Sequence, residues 1–171
     1  MFCYKILLSC CVVGFASAYT LPAGLHDGLY GAFLDDRGNE VHRRLPPPSL
    51  ENINTNTTVL EERQTDGGGG GDQLPPQFRC GCGFIMDHGG CDASVQDLKD
   101  QLGSGVSWIN ANSAWYSIRS NVVSFICVGP YGANFRASSF QSATEQITYH
   151  CGSYVAGTKS MENLLGYQFL G

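Results

Sequence analysis

The chain has 171 residues and a formal net charge of -5, and 43% of its residues are hydrophobic. Most of the negative excess lies in residues 1–76, and residues 77–171 are nearly neutral. No basic stripe is present that could hold a phosphate backbone, which argues against nucleic acid as the primary ligand.

The N-terminus has the pattern of a secretory signal peptide. Lys5 precedes an apolar run from Ile6 to Phe15, and the small residues of Ala16–Ala18 are typical of a cleavage site. The run has about half of the roughly twenty apolar residues that a membrane-spanning helix needs, and no second long run follows. The sequence therefore predicts a signal peptide over residues 1–18 and a secreted, extracellular protein without a transmembrane segment.

Residues 19–76 are rich in turn-forming residues and poor in large apolar ones, with the stretches LPPPS, NINTNTT and GGGGG. This composition predicts a disordered pro-segment or linker, because too little apolar surface is present to offset the entropy of ordering. The five glycines 67–71 are not followed by the Lys-Ser/Thr of a phosphate loop, so they indicate a flexible tether. One exception is His26–His42, which could form a small hairpin around Asp36–Asn39.

Three features of this segment indicate processing or modification. Arg43 and Arg44 form a dibasic pair, and Arg63 ends the stretch LEER, so a secretory-pathway protease could cut after Arg44 or Arg63. Asn56 begins the glycosylation sequon Asn-Thr-Thr in an exposed polar stretch.

Residues 77–171 are predicted to form a small folded domain that starts with a strand and a helix. From Phe78 to Met86, alternate residues are apolar or cysteine, as in a strand with one buried face. A helix capped by Asp92 or Ser94 follows, with an apolar stripe, and ends at Gly103. The stripe comprises Cys91, Val95, Leu98 and Leu102.

The second half of this domain repeats the alternation of strands and helix. The runs 114–119 and 121–128 are strand-like and are separated by a tight turn at Ser120-Asn121. Gly129–Gly132 is a turn cluster, a second helix opens at Ser138 and extends towards Gly157, and residues 164–170 supply a last strand. The order predicts an α+β fold, a βαββαβ sandwich with two helices on one face of an antiparallel sheet.

Five cysteines remain after removal of the signal peptide, and each lies on a face predicted to be buried. In a secreted domain of this size, they indicate disulfides. The predicted sandwich favours a bridge between Cys91 and Cys127 and a second bridge from Cys151 to Cys80 or Cys82. One thiol, Cys80 or Cys82, is left over, and it could stay buried or join two chains in a dimer.

A zinc site is the alternative for the stretch RCGCGFIMDHGGC, in which Cys80, Cys82, His88 and Cys91 would be the ligands. The spacing matches none of the familiar structural zinc patterns, and the predicted compartment is oxidising. The sequence therefore predicts no metal and no cofactor.

Enzymatic activity is the next alternative. A Cys-His protease is disfavoured because His150 and Cys151 are adjacent on a predicted helix and point about 100° apart. A small secreted ribonuclease would need two converging acid-base groups, for which the candidates are His88, His150, Glu145 and Arg136. Each is more simply explained as a turn or solvated helix position, so the chain is predicted not to be an enzyme.

The cysteine placement and the order of elements resemble those of small cysteine-rich proteins secreted by fungi, in particular the killer-toxin-like group with its smut-virus toxins and plant-pathogen effectors. The resemblance covers residues 78–171, and the fifth cysteine departs from a four-cysteine scheme. It implies a non-enzymatic virulence effector that binds a protein or cell-surface target in a host or competitor, or alternatively an antimicrobial toxin. Large aromatics outside the helical stripes either fill a second core or anchor a binding partner, and the candidate contact points are Trp108, Trp115 and Tyr131.

Overall fold

The computed structural model of the chain describes residues 19–47, 77–160 and 167–170, and for residues 77, 82–84 and 167–170 it describes only the backbone. The predicted signal peptide, Asn56 and Arg63 lie outside these residues, as does the side chain of Cys82. The described residues form nine strands and two helices.

The first two strands form a hairpin, as the sequence predicts for this patch. Strand β1 (Gly28–Leu34) pairs with β2 (Glu40–Arg44) in antiparallel register. Asp35 shapes the turn, because its carboxylate accepts the backbone N–H groups of Arg37 at 2.9 Å and Asn39 at 2.7 Å.

The hairpin belongs to the main sheet, which corrects the prediction of disorder for residues 19–47. Strand β1 pairs along its length with β5 (Ser113–Arg119), so that Tyr30 lies opposite Tyr116. Tyr30 and Ala32 are buried, and so is Tyr19, whose hydroxyl donates to the backbone carbonyl of Asn112. The composition of the whole segment conceals this short apolar patch, which gains its burial from strands that lie far away in the sequence.

Helix α1 (His88–Leu102) begins earlier than the sequence predicts. The carboxylate of Asp87 accepts the backbone N–H of Gly90 at 2.7 Å, so Asp87 is the N-cap in place of Asp92 or Ser94. The predicted buried stripe is present, with Cys91, Leu98 and Leu102 buried, and the helix ends at Gly103 as expected.

The centre of the sheet is the hairpin of β5 and β6 (Val122–Val128), which turns at Ser120-Asn121 as predicted. Every residue of β6 is buried, because both faces of this strand are covered. Ile126 and Val128 face a core that the helices cover, while Phe125 and Cys127 face a second core on the other side of the sheet. The second core comprises Tyr19, Tyr30, Ala32, Ala114, Tyr116, Val123, Phe125 and Cys127.

The second helix, α2 (Ala137–Cys151), is shorter than expected and ends six residues before Gly157. Gly152 follows it at φ 99°, and the chain then turns back as strand β8 (Val155–Ser160), which the sequence did not predict. Gly157 lies so close to α2 that an added Cβ would be 2.7 Å from a methyl carbon of Ile147 and 2.9 Å from the sulfur of Cys151.

The seven-stranded sheet has the order β2-β1-β5-β6-β9-β8-β3, with antiparallel pairing between neighbours. Its remaining strands are β3 (Gln77–Ile85) and β9 (Tyr167–Leu170). A separate two-stranded ribbon is formed by β4 (Ser107–Ile109) and β7 (Ala133–Phe135). The predicted α+β class with an antiparallel sheet is therefore confirmed, although the chain contains more strands than the six-element order.

Cys80 of β3 and Cys151 of α2 form a disulfide. Cys80 is one of the two partners that the sequence allowed for Cys151. The predicted bridge between Cys91 and Cys127 is not formed, and Cys91 is a buried thiol. The reason is the parity of β6, because Cys127 faces the second core while Cys91 lies on a helix that packs against the opposite face.

Candidate binding surface

The β4–β7 ribbon presents one polar and aromatic face to solvent. Ile109, Ala133 and Phe135 point inward and are buried. Trp108 and Asn134 alternate with them, are exposed, and are paired across the two strands. Since paired residues of antiparallel strands lie on the same face, the indole and the amide are neighbours on the solvent side.

The indole of Trp108 is held in place by two local contacts. Its Nε1–H donates to Oδ1 of Asn110 at 3.1 Å. Its ring lies against Gly132, where an added Cβ would be 2.4 Å from a ring carbon. Gly132 also has φ 69°, so both the backbone conformation and the contact with the indole favour glycine here.

Two further exposed apolar residues adjoin the ribbon. Tyr131, in the predicted turn cluster, is 74% exposed, and Val106 is 49% exposed, compared with 56% for Trp108. We call these residues, together with the two neighbouring amides, the aromatic ribbon surface: Val106, Trp108, Asn110, Tyr131 and Asn134. Two of the three predicted contact residues, Trp108 and Tyr131, are thus exposed in or next to the ribbon.

Trp115, the third predicted contact residue, lies elsewhere. It is in the middle of β5, opposite Gly31 and Ile126, and it packs against the core beneath the helices. Its partial burial assigns it a packing role, the alternative that the sequence also allowed.

The aromatic ribbon surface comes from parts of the chain that lack charged side chains. Residues 101–118 and 120–135 contain no Asp, Glu, Lys, Arg or His. The local chemistry is therefore that of aromatic rings, hydroxyls and carboxamides.

The acid-base candidates of the ribonuclease alternative lie at the start of α1, just before α2 and along α2. Arg136 precedes α2, while Glu145 and His150 lie along it. At about 1.5 Å per residue, Glu145 is roughly 13 Å along the axis from Arg136 and roughly 7 Å from His150. His88 is the first residue of the other helix, where its ring stacks on Tyr154 with centroids 3.7 Å apart.

The two cysteines of this stretch whose side chains are described, Cys80 and Cys91, are a disulfide partner and a buried thiol. The sulfur of Cys80 is bonded to Cys151, so the four-ligand zinc set is not available. Burial, and then the nearby carboxylate of Asp92, raise the pKa of the Cys91 thiol, which disfavours the thiolate. Within the described residues, no group of three or more His, Cys, Asp or Glu side chains is arranged to hold a metal ion.

The sequence did not predict a chain of hydrogen bonds that links the hairpin to the second core through Glu40, His42 and Tyr116. Nδ1 of His42 is 2.7 Å from the hydroxyl of Tyr116, and Nε2 is 2.6 Å from a carboxylate oxygen of Glu40. Burial, and then the neighbouring Tyr30 and Glu40, raise the pKa of Tyr116 well above its usual value. A phenol so hard to ionise suits a structural contact, and only the tertiary pairing of β1 with β5 brings these residues together.

The predicted dibasic site lies within ordered structure. Arg43 and Arg44 are exposed residues of β2, and a guanidinium nitrogen of Arg44 donates to the backbone carbonyl of Asp27 at 3.2 Å. Processing at this site stays a prediction, as does any dimer formed through a cysteine.

Comparisons with protein-family models, curated proteins and solved structures find no match for this chain. Among residues 19–47, 77–160 and 167–170, no helix has the length and apolar character needed to span a membrane.

Proposed function

We propose that this chain is a secreted, non-enzymatic protein that acts by binding a target outside the cell, as a virulence-type effector or as an antimicrobial toxin. The observation that carries the proposal is the exposure of Trp108 in the β4–β7 ribbon and of Tyr131 in the turn that precedes β7. Large aromatics are enriched among the residues that dominate binding energies, whereas scattered exposed residues need no explanation.

Two further features support export and action as a stable body. The N-terminal sequence has the pattern of a signal peptide, and the Cys80–Cys151 disulfide is typical of proteins in oxidising compartments. Along the chain, β3, α1, β5, β6, α2 and β8 follow each other in the order βαββαβ, with β4 and β7 inserted between them. We propose that this embedded order corresponds to the killer-toxin-like arrangement.

Binding to whole cells tests the proposal. Fluorescently labelled secreted protein is incubated with host-type plant tissue and with competing microbial cells, and the bound fraction is measured. We expect binding to one of the two that falls at least about tenfold in Trp108→Ala/Tyr131→Ala, as for other aromatic hot spots. The matched control is Tyr149→Ala, which removes an aromatic that is 86% exposed on α2.

Binding that is unchanged in the double variant would contradict the assigned surface. Hydrolysis of RNA by the wild-type protein that is lost in His88→Ala would contradict the non-enzymatic function.

A further inference from the structure

The aromatic ribbon surface combines a flat apolar ring with carboxamides on the same side. Trp108 and Asn134 are cross-strand partners, and paired side chains lie about 5 Å apart at Cβ. A carboxamide offers both a carbonyl acceptor and two N–H donors. Asn110 uses its carbonyl for the indole N–H, and its two N–H donors are not part of that bond.

This combination matches the two chemical sides of a sugar. A pyranose ring has a face of C–H groups that can pack against an aromatic ring, and a rim of hydroxyls that both donate and accept hydrogen bonds. The indole of Trp108 offers a ring on which the C–H face can stack, and Asn110 and Asn134 offer hydrogen-bond partners for the hydroxyls.

The charge pattern narrows the class of sugar. Because residues 101–118 and 120–135 carry no charged side chain, these segments offer no cation to pair with a sulfate, phosphate or uronate and no anion to pair with an amino sugar. The nearest charged residue along the chain is the exposed Arg136, which directly follows β7. The five residues of the aromatic ribbon surface are themselves uncharged, so transfer of a charge from water to them would be uncompensated, and they favour an uncharged ligand.

The geometry also favours a sugar over a protein partner. Stable protein interfaces bury about 800 Å² on each side and use arginine as well as aromatics at their centre. The aromatic ribbon surface has three exposed apolar residues and no arginine of its own, and the nearest arginine along the chain is Arg136, after β7. The indole is held by Asn110 and Gly132, so stacking needs little further ordering of this side chain.

We propose that the aromatic ribbon surface binds an uncharged, pyranose-based polysaccharide, with the indole of Trp108 stacked on the C–H face of a sugar ring. This inference rests on the proposed binding function and specifies its ligand. Tyr131, which is exposed in the turn that precedes β7, is the second aromatic that could contact the polysaccharide.

Depletion from solution by insoluble polysaccharides tests the proposal with the full secreted protein. The neutral probes are a β-1,3-glucan, chitin and cellulose, which differ in the sugar unit or in its linkage. De-esterified pectin is the acidic probe for comparison. We expect at least one neutral polymer to deplete the protein and pectin to deplete it far less.

The variants connect binding to the surface. We expect Trp108→Ala to raise the apparent Kd for the neutral polymer at least about tenfold, and Trp108→Phe to restore part of the loss, because a smaller ring still stacks. Tyr149→Ala should bind like the wild type, since Tyr149 lies about 18 Å along α2 from the start of that helix. Thermal unfolding of each variant checks that the fold is retained.

Depletion by none of the neutral polymers, or equal depletion of wild type and Trp108→Ala, would overturn the inference. Cell binding that depends on Trp108 but is abolished by protease treatment of the cells would also overturn it, because the partner would then be a protein. That last outcome would leave the proposed binding function intact.

Discussion

Asp97 of α1 joins the helix to the centre of the sheet. Its carboxylate accepts hydrogen bonds from the buried hydroxyl of Ser117 at 2.6 Å and from Nε and Nη2 of Arg119 at 2.7 and 2.9 Å. Burial raises the pKa of Asp97, but the hydrogen bonds from Arg119 and Ser117 and the charge of Arg119 together outweigh it, so the net pKa is lowered.

Asp97→Asn is therefore expected to destabilise the fold in a pH-dependent way. The folded-state pKa lies below the unfolded value of about 3.9, so the stabilisation is complete above that value and is lost as the pH falls through the folded-state pKa. We expect a loss of about 1–3 kcal/mol at neutral pH, measured by urea unfolding, and a smaller difference near pH 3.

Asp100→Asn is the matched control, because Asp100 lies on the exposed side of the same helix and accepts a hydrogen bond from Gln96. It should change the free energy of unfolding by less than about 0.5 kcal/mol. An equal effect of both substitutions at every pH would disprove the role assigned to Asp97.

At the scale of elements, the disulfide connects the edge strand β3 to the end of α2. Cys80 and Cys151 are 71 positions apart, with Cα atoms separated by 5.3 Å. Closing a loop of this length lowers the entropy of the unfolded chain, which raises its free energy by about 4 kcal/mol according to the chain-entropy estimate.

We expect Cys80→Ala/Cys151→Ala to lose about 2–5 kcal/mol of stability. Cys91→Ala should lose only about 1 kcal/mol, because it removes a small buried thiol and no cross-link. Alkylation in denaturant provides a second test, since Cys91 should react without reductant while Cys80 and Cys151 should react only after reduction. Protection of Cys91 before reduction would contradict the assignment.

The elements that the sequence predicts well are those whose signal is local. The helical stripe from Cys91 to Leu102, the stop at Gly103 and the turn at Ser120-Asn121 need only a few neighbouring residues to be recognised. Strand β8 was missed because VAGTKS has no clear alternation, and its burial comes from packing beneath α2.

The same limit explains the error at Cys127. Its parity with Phe125 was predicted correctly, but no local pattern tells which of two buried faces the helices cover. The exposed aromatics were predicted from residue type, whereas the contact of Trp108 with Gly132 depends on the pairing of two three-residue strands.

At the scale of the whole molecule, residues 19–47 complete the fold. Without them, β5 would be an unpaired edge of the sheet, and the second core would lose Tyr19, Tyr30 and Ala32. The exposed apolar surface and open edge would favour aggregation.

A protein that lacks residues 19–47 is therefore expected to aggregate or to unfold at a much lower temperature. Size-exclusion chromatography and thermal unfolding, compared with a protein of residues 19–171, measure this. If residues 77–171 alone were monomeric and equally stable, the hairpin would be dispensable and the domain boundary predicted from the sequence would be correct.

The hairpin has a covalent consequence as well. Residues 19–79 contain no cysteine, so no disulfide can tie this part to residues 80–171. A single cut after Arg63 would produce two polypeptides, held together by the β1–β5 ladder and the second core. Processing would then yield a non-covalent heterodimer. It would show one mass in native conditions and two masses in denaturant. Release of the smaller polypeptide, which ends at Arg63, would remove β1 and β2 from the sheet.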